Sequence, residues 1–280
     1  LKFIHVAGTN GKGSTAAMLA PACRRRVTGW AVYLAFINRF NERIQVNGQQ
    51  IPDEALVRLV ERVKPAADAM TDIPTEFEII TALGMLWFAE TKCDIVVLEV
   101  GLGGTLDSTN VIDPPECAVI TALGMDHVKE LGPTLADIAS AKAGIIKPGS
   151  PVVSYGGVPE ADAVIARTAA ERHAPLTVVD LSRLTIEDGD LDAVTFDFDG
   201  LNGIRLPLIG SYQPRNAATA ITACGYCAAG AGTSRTVPSA PVWNRCAGRA
   251  GSSCCGIRPP FYWMAATTPT ECGPPCRACG

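Results

Sequence analysis

Lys2–Ala7 is a short apolar run of β type (Phe3, Ile4, Val6), followed by the glycine-rich stretch Gly8–Ser14 and then by Thr15–Ala20, rich in Ala and Leu and predicted to be helical. This is the order strand, glycine loop, helix. Asp53–Val63 sets Ala55, Leu56, Leu59, Val60 and Val63 at helical spacing, and Glu78–Glu90 is apolar on most faces, which predicts a buried helix. Asp94–Val100 (DIVVLEV) is a continuous apolar run of strand length, as expected for a central parallel strand, and Cys117–Thr121 repeats the pattern. Thr134–Lys147 opens on a Thr-x-x-Asp capping box and stops before Pro148–Gly149. Pro151–Ser154 reads as a strand, Glu160–Arg172 as a helix and Leu176–Val179 as a strand. Val194–Leu208 alternates well enough for a small hairpin at one edge. Strands alternating with helices predict an α/β fold, a doubly wound and mostly parallel sheet covered on both faces. No internal repeat is visible.

The chain has 280 residues, 48% of them apolar, enough for one large or two ordinary domains. A net charge of −4 argues against a nucleic-acid or membrane-surface partner. No apolar run reaches the length of a membrane span, and the chain opens on an apolar strand without a charged-then-apolar leader, so a cytoplasmic location is expected. The cysteines are uneven. Of 11, only Cys23, Cys93 and Cys117 precede residue 224; the other eight crowd a stretch rich in Pro, Gly, Arg and Thr that has neither apolar period.

Gly8-Thr9-Asn10-Gly11-Lys12-Gly13-Ser14 lies between a strand and a helix, where successive backbone N–H groups can wrap a phosphate. Lys12 would reach the outer phosphates and the Ser14 hydroxyl could ligate magnesium. An ordinary glycine turn is the bland alternative; lysine and hydroxyl together in strand–helix context favour phosphate, although Val6 stands where the common GxxxxGK[ST] form has its first glycine. Glu99, near the end of a buried strand and followed by glycines at 101, 103 and 104, is where open α/β sheets place ligands, and a buried carboxylate calls for a cation. The residues alone leave other sites undecided or bland. His127 beside Asp126 reads as structural, Lys142 as a solvated helix face, Phe77 as core, Asp107 as a turn residue and Asn216 as a polar residue at a helix entry.

His5–Thr15 (HVAGTNGKGST) resembles the phosphate-loop signature of the Mur ligase superfamily, most closely its folylpolyglutamate/dihydrofolate synthase branch. Phe40–Gly48 (FNERIQVNG), Thr75–Glu78 (TEFE), Leu98–Asn110 (LEVGLGGTLDSTN), Asp126–His127 and Ala141–Lys147 (AKAGIIK) are similar to the same branch in its order, over residues 1–22 and 36–223. The resemblance implies a P-loop-type ATP-binding central domain. ATP would phosphorylate the γ-carboxylate of a folate's glutamate, and the amine of an incoming L-glutamate would attack the acyl phosphate. It implies two magnesium ions, Glu99 matching a ligand of the first and His127 of the second, with Ser14 contributing. Lys142 matches a lysine often carbamylated so that it can bind the second ion. Lys12, His127 and Lys142 would serve catalysis; Thr75, Phe77 and Asp107 match positions that hold the pterin ring; Asn216 matches an adenine contact. Folate or dihydropteroate would be the acceptor, and a monomer is expected. Another Mur-type amide ligase and a non-enzymatic nucleotide-binding fragment are the competing readings, the first disfavoured by Asn41–Ile44 and Thr75–Glu78.

Two stretches depart from the family. Cys23–Ala35 (CRRRVTGWAVYLA) replaces a Gly-Leu-Tyr-Thr-Ser-Pro strand and loop, and Trp30–Ala35 read from the second base of each codon permits that sequence, the frame rejoining at Phe36. The serine of that loop, a magnesium contact in the family, falls at Leu34. In the same way Tyr262–Ala265 forces Leu-Leu-Asp-Gly out of frame, Ala266–Thr270 permits Gly-His-Asn-Pro-His, and Gly248–Ser253 permits Trp-Pro-Gly-Arg-Phe-Glu, as at the start of the family's C-terminal domain. Residues 224–280 therefore read as a frameshifted, disordered tail in place of that domain, and residues 1–223 as the ATP-binding domain, lacking its N-terminal start. A polypeptide of this kind is expected to be an inactive fragment. The rival reading is a zinc module of Cys254, Cys255, Cys272, Cys276 and Cys279, whose spacings can bind zinc; the forced Leu-Leu-Asp-Gly at the right distance argues against it.

Overall fold

In the computed structural model, which describes residues 1–23, 29–35, 39–189 and 192–228, the apolar runs become the strands of one eight-stranded sheet. They are β1 (Lys2–Ala7), β2 (Trp30–Tyr33), β3 (Ile44–Val46), β4 (Gln49–Gln50), β5 (Ile95–Glu99), β6 (Cys117–Ile120), β7 (Val152–Ser154) and β8 (Leu176–Val178), in the order β4-β3-β2-β5-β1-β6-β7-β8. Pairing is parallel from β2 through to β8, and β3 and β4 close one edge antiparallel. β5 and β1 are central, which is why the first of these is buried throughout and apolar from Ile95 to Leu98. Its Ile95 and Val97 face one layer while Val96 and Leu98 face the other.

The helices are α1 (Lys12–Cys23), α2 (Asp53–Asp68), α3 (Glu76–Glu90), α4 (Val128–Leu131), α5 (Leu135–Ala143), α6 (Pro159–Glu171) and α7 (Gln213–Ala228). α1 and α7 cover one face, burying Met18, Leu19, Ala217, Ala220 and Ile221 against Ile4, Val6 and Val119. α2 and α3 cover part of the other through Leu59, Ile80, Leu83 and Phe88; α5 and α6 cover the rest through Ala143, Ile165 and Ala169, with Ile145 and Ile146 just beyond α5. The capping boxes form as written in the sequence, Thr75 with Glu78 at α3 and Thr134 with Asp137 at α5.

Three sequence expectations are corrected. Val194–Leu208 is not an edge hairpin of the main sheet. It forms β10 (Val194–Phe198) and β11 (Leu201–Leu206), joined by β9 (Leu184–Gly189) in a separate antiparallel sheet. Phe196, Phe198, Ile204 and Leu206 give that sheet one apolar face, which is buried in the same cluster as α1 and α7. α5 stops at Ala143 rather than Lys147: Gly144, Ile145 and Ile146 donate to carbonyls three residues back instead of four, and Gly144 abuts Thr105, where a Cβ would stand 2.0 Å from the hydroxyl oxygen. α7, read from sequence only as a helix entry at Asn216, runs a full 16 residues and continues past Ala223 with Cys224 buried and the Tyr226 hydroxyl bonded to that of Thr177. Most of the expectation for residues 224–280 lies outside the described residues, as do residues 24–28 of the stretch Cys23–Ala35. The rest of that stretch supplies β2, all four of its residues buried beside β5.

Candidate nucleotide and substrate site

The loop Gly8–Ser14 leaves the C-terminal end of β1 and enters α1, between the ends of β5 and β6. This is the crevice where open parallel sheets bind ligands. Its shape depends on two glycines. Gly8 has φ 152° and a Cβ there would lie 1.9 Å from Thr121 Oγ1; Gly11 has φ 83° and a Cβ would lie 2.5 Å from Asn216 Oδ1. The Thr9 and Asn10 N–H groups are both spent on the Ala122 carbonyl at 3.0 Å. Those of Lys12, Gly13 and Ser14, in the first turn of α1, have no carbonyl of their own helix and are available to an anion. Lys12 Nζ donates to the Gly8 and Thr9 carbonyls at 3.1 and 3.2 Å, at the lip of the loop.

Glu99 ends β5 with 8% of its surface exposed, and a Cβ on Gly13 would lie 3.5 Å from its Oε2. Burial pushes this carboxyl above the usual range; Lys12, the Ala35 N–H (3.2 Å) and Arg43 draw it back. Ser14 is buried too, its Oγ accepting from Gln213 Nε2 at 3.3 Å. A buried carboxylate and a buried hydroxyl beside a phosphate loop are hard oxygen donors that suit a small divalent cation.

Lys142, taken on the residues alone as a solvated helix face, is 3% exposed, and its Nζ donates to the Gly8 carbonyl at 2.9 Å. Burial, then the positive charge of Lys12, lower its pKa to about 8, against the pull of Asp126 and Asp107. His127 stands apart. It is exposed, at φ 48°, with its ring Nε2 3.6 Å from Asp126 Oδ2 and its backbone N–H donating to Asp126 Oδ1 at 2.9 Å. Among the described residues no group of three or more His, Cys, Asp or Glu side chains could hold a metal ion. Lys142 and the Gly13–Glu99 pair both meet the loop; for His127 the tie to the centre is through Asp126.

From the loop a cleft of about 1010 Å³ runs past Arg43, Phe77 and the glycine-rich segment 101–104 to Leu106 and Asp107. Thr75 lies on its wall, its hydroxyl and N–H engaged with Glu78 Oε2 at 2.8 and 2.7 Å. Phe77 meets Tyr33 edge-on, ring centres 6.2 Å apart, and the Arg43 guanidinium lies over both rings, 5.3 and 5.6 Å from their centres. Arg43 was not singled out from the sequence, although it sits within the Phe40–Gly48 motif. Asp107 is nearly buried. Its Oδ2 accepts the Leu102 N–H at 2.8 Å, and its Oδ1 accepts the Thr109 N–H at 3.0 Å and hydroxyl at 2.5 Å. Gly101 lets Phe77 and Asp107 close in on each other, since a Cβ there would be 2.6 Å from Phe77 Cζ and 3.1 Å from Asp107 Oδ2. Asn216 packs its amide against Gly11 and donates to Gln213 Oε1 at 3.2 Å. Gln213, passed over in the sequence except as part of that pair, bridges Asn216 and Ser14.

The family model of the Mur ligase middle domain matches residues 6–224. The chain is 41% identical over 239 residues to the folylpolyglutamate synthase of Lacticaseibacillus casei, covering 79% of this chain and 54% of the relative. It is 43% identical over 238 residues to the dihydrofolate synthase/folylpolyglutamate synthase of Bacillus subtilis, covering 81% and 55%. The chain thus spans about half the length of these curated relatives. A solved folylpolyglutamate synthase complex with AMPPCP and folate superposes with a TM-score of 0.79 at 37% identity, covering 89% of this chain and 62% of that one. Among the described residues no helix is long and apolar enough to cross a membrane.

Proposed function

We propose, from the premise that this chain belongs to the Mur ligase middle-domain family, that it is the ATP-binding part of a ligase that joins glutamate to a folate. The observation that carries the reading is that one cleft is lined both by Lys12 and Glu99 and by Phe77 and Asp107. A phosphoryl donor on the loop and a flat heterocycle between ring and carboxylate would share one cavity. The relatives' names and the AMPPCP–folate complex support both ligands.

In this reading Lys12 and the first-turn N–H groups of α1 hold the ATP phosphates, and the carboxylate of the folate's glutamate attacks the γ-phosphorus. ADP leaves, and the acyl phosphate that remains is attacked at its carbonyl carbon by the amine of L-glutamate, expelling phosphate and forming the amide. Phe77 stacks on the pterin, Asp107 Oδ2 accepts from its N–H donors, Thr75 borders the ring and Asn216 borders the nucleotide. Ser14 and Glu99 are the residues suited to hold magnesium, which supplies neutralisation of the phosphate charge. A second ion at His127 and a carbamylated Lys142 is the finer part of the proposal. A lysine near pKa 8 keeps a larger neutral fraction at physiological pH than an ordinary one, and only the neutral amine takes up CO₂. The chain would act as a cytoplasmic monomer, with folate or dihydropteroate as acceptor.

Calorimetric titration with MgATP, then with tetrahydrofolate in the presence of AMPPCP, tests this. Binding of both, with MgATP lost in Lys12→Ala and tetrahydrofolate lost in Phe77→Ala, is expected. MgATP binding without any folate affinity would overturn the substrate and favour another Mur-type amide ligase.

A further inference from the structure

His5 lies in the middle of β1 with no surface exposed, and the reading of the site above makes no use of it. Ile4 and Val6 face the α1–α7 layer. Strand alternation sends His5 to the opposite face, between the positions of Leu98 on β5 and Ala118 on β6. There its Nε2 lies 2.8 Å from Thr109 Oγ1, in the 3-10 turn Ser108–Val111 that follows Asp107.

The directions of the hydrogen bonds follow from the donors available. Asp107, as a carboxylate, has no proton to give, so the single Thr109 hydroxyl proton goes to Asp107 Oδ1, at 2.5 Å. Thr109 must then accept from His5, which fixes His5 as the Nε2–H tautomer. That choice leaves Nδ1 an acceptor, and Nδ1 is buried with no hydrogen-bond partner. Leaving it so is unfavourable. Protonating Nδ1 is no escape, since burial and the nearby charge of Lys147, itself bonded to the Asn110 carbonyl, oppose it. The chain His5–Thr109–Asp107 is therefore a one-way relay from the middle of the sheet to the cleft wall.

We infer that His5 is a positioning residue for the substrate end of the cleft. Through Thr109 it fixes the rotation of the Asp107 carboxylate, keeping Oδ1 turned inward and Oδ2 beside Phe77 and Gly101. This rests on the reading of Asp107 as the group that receives the pterin's N–H donors.

The test uses the full chain with His5→Gln, His5→Asn, His5→Leu and Thr109→Val. Gln carries an amide nitrogen at about the reach of Nε2, whereas Asn reaches only as far as Nδ1, so two polar variants differ in the one bond at issue. His5→Leu, His5→Asn and Thr109→Val should each weaken tetrahydrofolate about tenfold with MgATP affinity within about twofold. His5→Gln should recover most of the loss. The His5→Leu/Thr109→Val pair should be no worse than the weaker-binding single variant, since both break one relay. Tetrahydrofolate affinity equal in His5→Asn and His5→Gln, or both ligands weakened together with the urea midpoint, would overturn the inference and leave His5 a core residue. If the wild type binds MgATP but no tetrahydrofolate, the substrate reading fails by itself. The relay is then judged by amide exchange at Leu102 and Thr109, both bonded to Asp107: faster exchange in His5→Asn than in His5→Gln upholds it, and equal protection refutes it.

Discussion

Replacing Gly11 by alanine tests whether the phosphate loop is shaped by its contact with α7. Two costs are separable. At φ 83° a Cβ brings a backbone strain of roughly 1–2 kcal/mol. The same Cβ would stand 2.5 Å from Asn216 Oδ1 and 2.9 Å from both Cγ and Nδ2, so the whole buried amide must move and its bond to Gln213 Oε1 is broken, about 1 kcal/mol more. The expected loss is therefore roughly 2–3 kcal/mol. MgATP affinity should fall at least about tenfold, because the N–H groups beyond Gly11 turn with it. Gly149→Ala is the control. It has φ 71° with nothing within 4 Å of its would-be Cβ, so it pays the strain without the collision and leaves nucleotide binding alone. Urea unfolding of the free chain and calorimetric titration with MgATP measure the two effects. Adding Asn216→Ala to Gly11→Ala should recover part of the stability by removing the obstacle. If Gly11→Ala matched Gly149→Ala in both measurements, the loop would not be held by α7 and the reasoning would fail.

For Lys142, the folded pKa near 8 against 10.5 unfolded means that the unfolded chain binds the extra proton between those values, so wild-type stability rises with pH across that window by up to roughly 3 kcal/mol. Lys142→Met lacks that rise, and urea curves at pH 7.5 and 10 should show the wild type gaining on the variant; parallel behaviour would refute the burial of a charged amine. For Glu99, burial holds the folded pKa above 4.5, so the wild type is favoured at low pH and loses that advantage as pH rises through the folded value. Glu99→Gln should consequently melt higher than the wild type at pH 7 without divalent ions. Added Mg²⁺ with ATP should raise the melting temperature of the wild type and not of the variant; an equal rise in both would remove Glu99 from the metal site.

Much of this was written locally in the chain. Strand, loop and helix around Lys12 follow from apolar runs broken by glycines, and both capping boxes formed at the residues that spell them. What escaped was decided by tertiary contacts. Lys142 looks solvated because lysine usually is, yet Ile138 lies one turn before it on the same side of α5 and is fully buried. That i, i+4 pairing was the available signal. The length of α7 beyond its entry at Asn216 escaped because it buries small residues, Ala217, Ala218, Ala220 and Ala223, in the same core as Ala16 and Ala20 of α1, so no stripe of large side chains marks it. β9 is marked by Leu184 and Ile186 alone, too few for alternation to be read. The relay from His5 to Asp107 joins residues far apart in the chain, and no spacing rule connects them.

The segment Trp30–Ala35, where the resemblance expects a different strand and loop, shows what separates a fold from a site. Trp30–Tyr33 meets the requirement for a strand beside β5, which is apolar side chains on both faces: Trp30 and Val32 enter one core, Ala31 and Tyr33 the other. Many sequences satisfy that requirement, so the sheet closes around this one. The next residue answers to a narrower demand. Leu34, where the resemblance calls for a serine that contacts magnesium, is buried among the apolar residues of β1, β2 and α1, and its backbone N–H goes to the Arg43 carbonyl at 3.0 Å. Its side chain has no oxygen to offer, and what this loop gives Glu99 is the Ala35 N–H instead. Packing depends on volume and polarity, which many sequences can supply, whereas a cation site depends on a particular oxygen at a particular place.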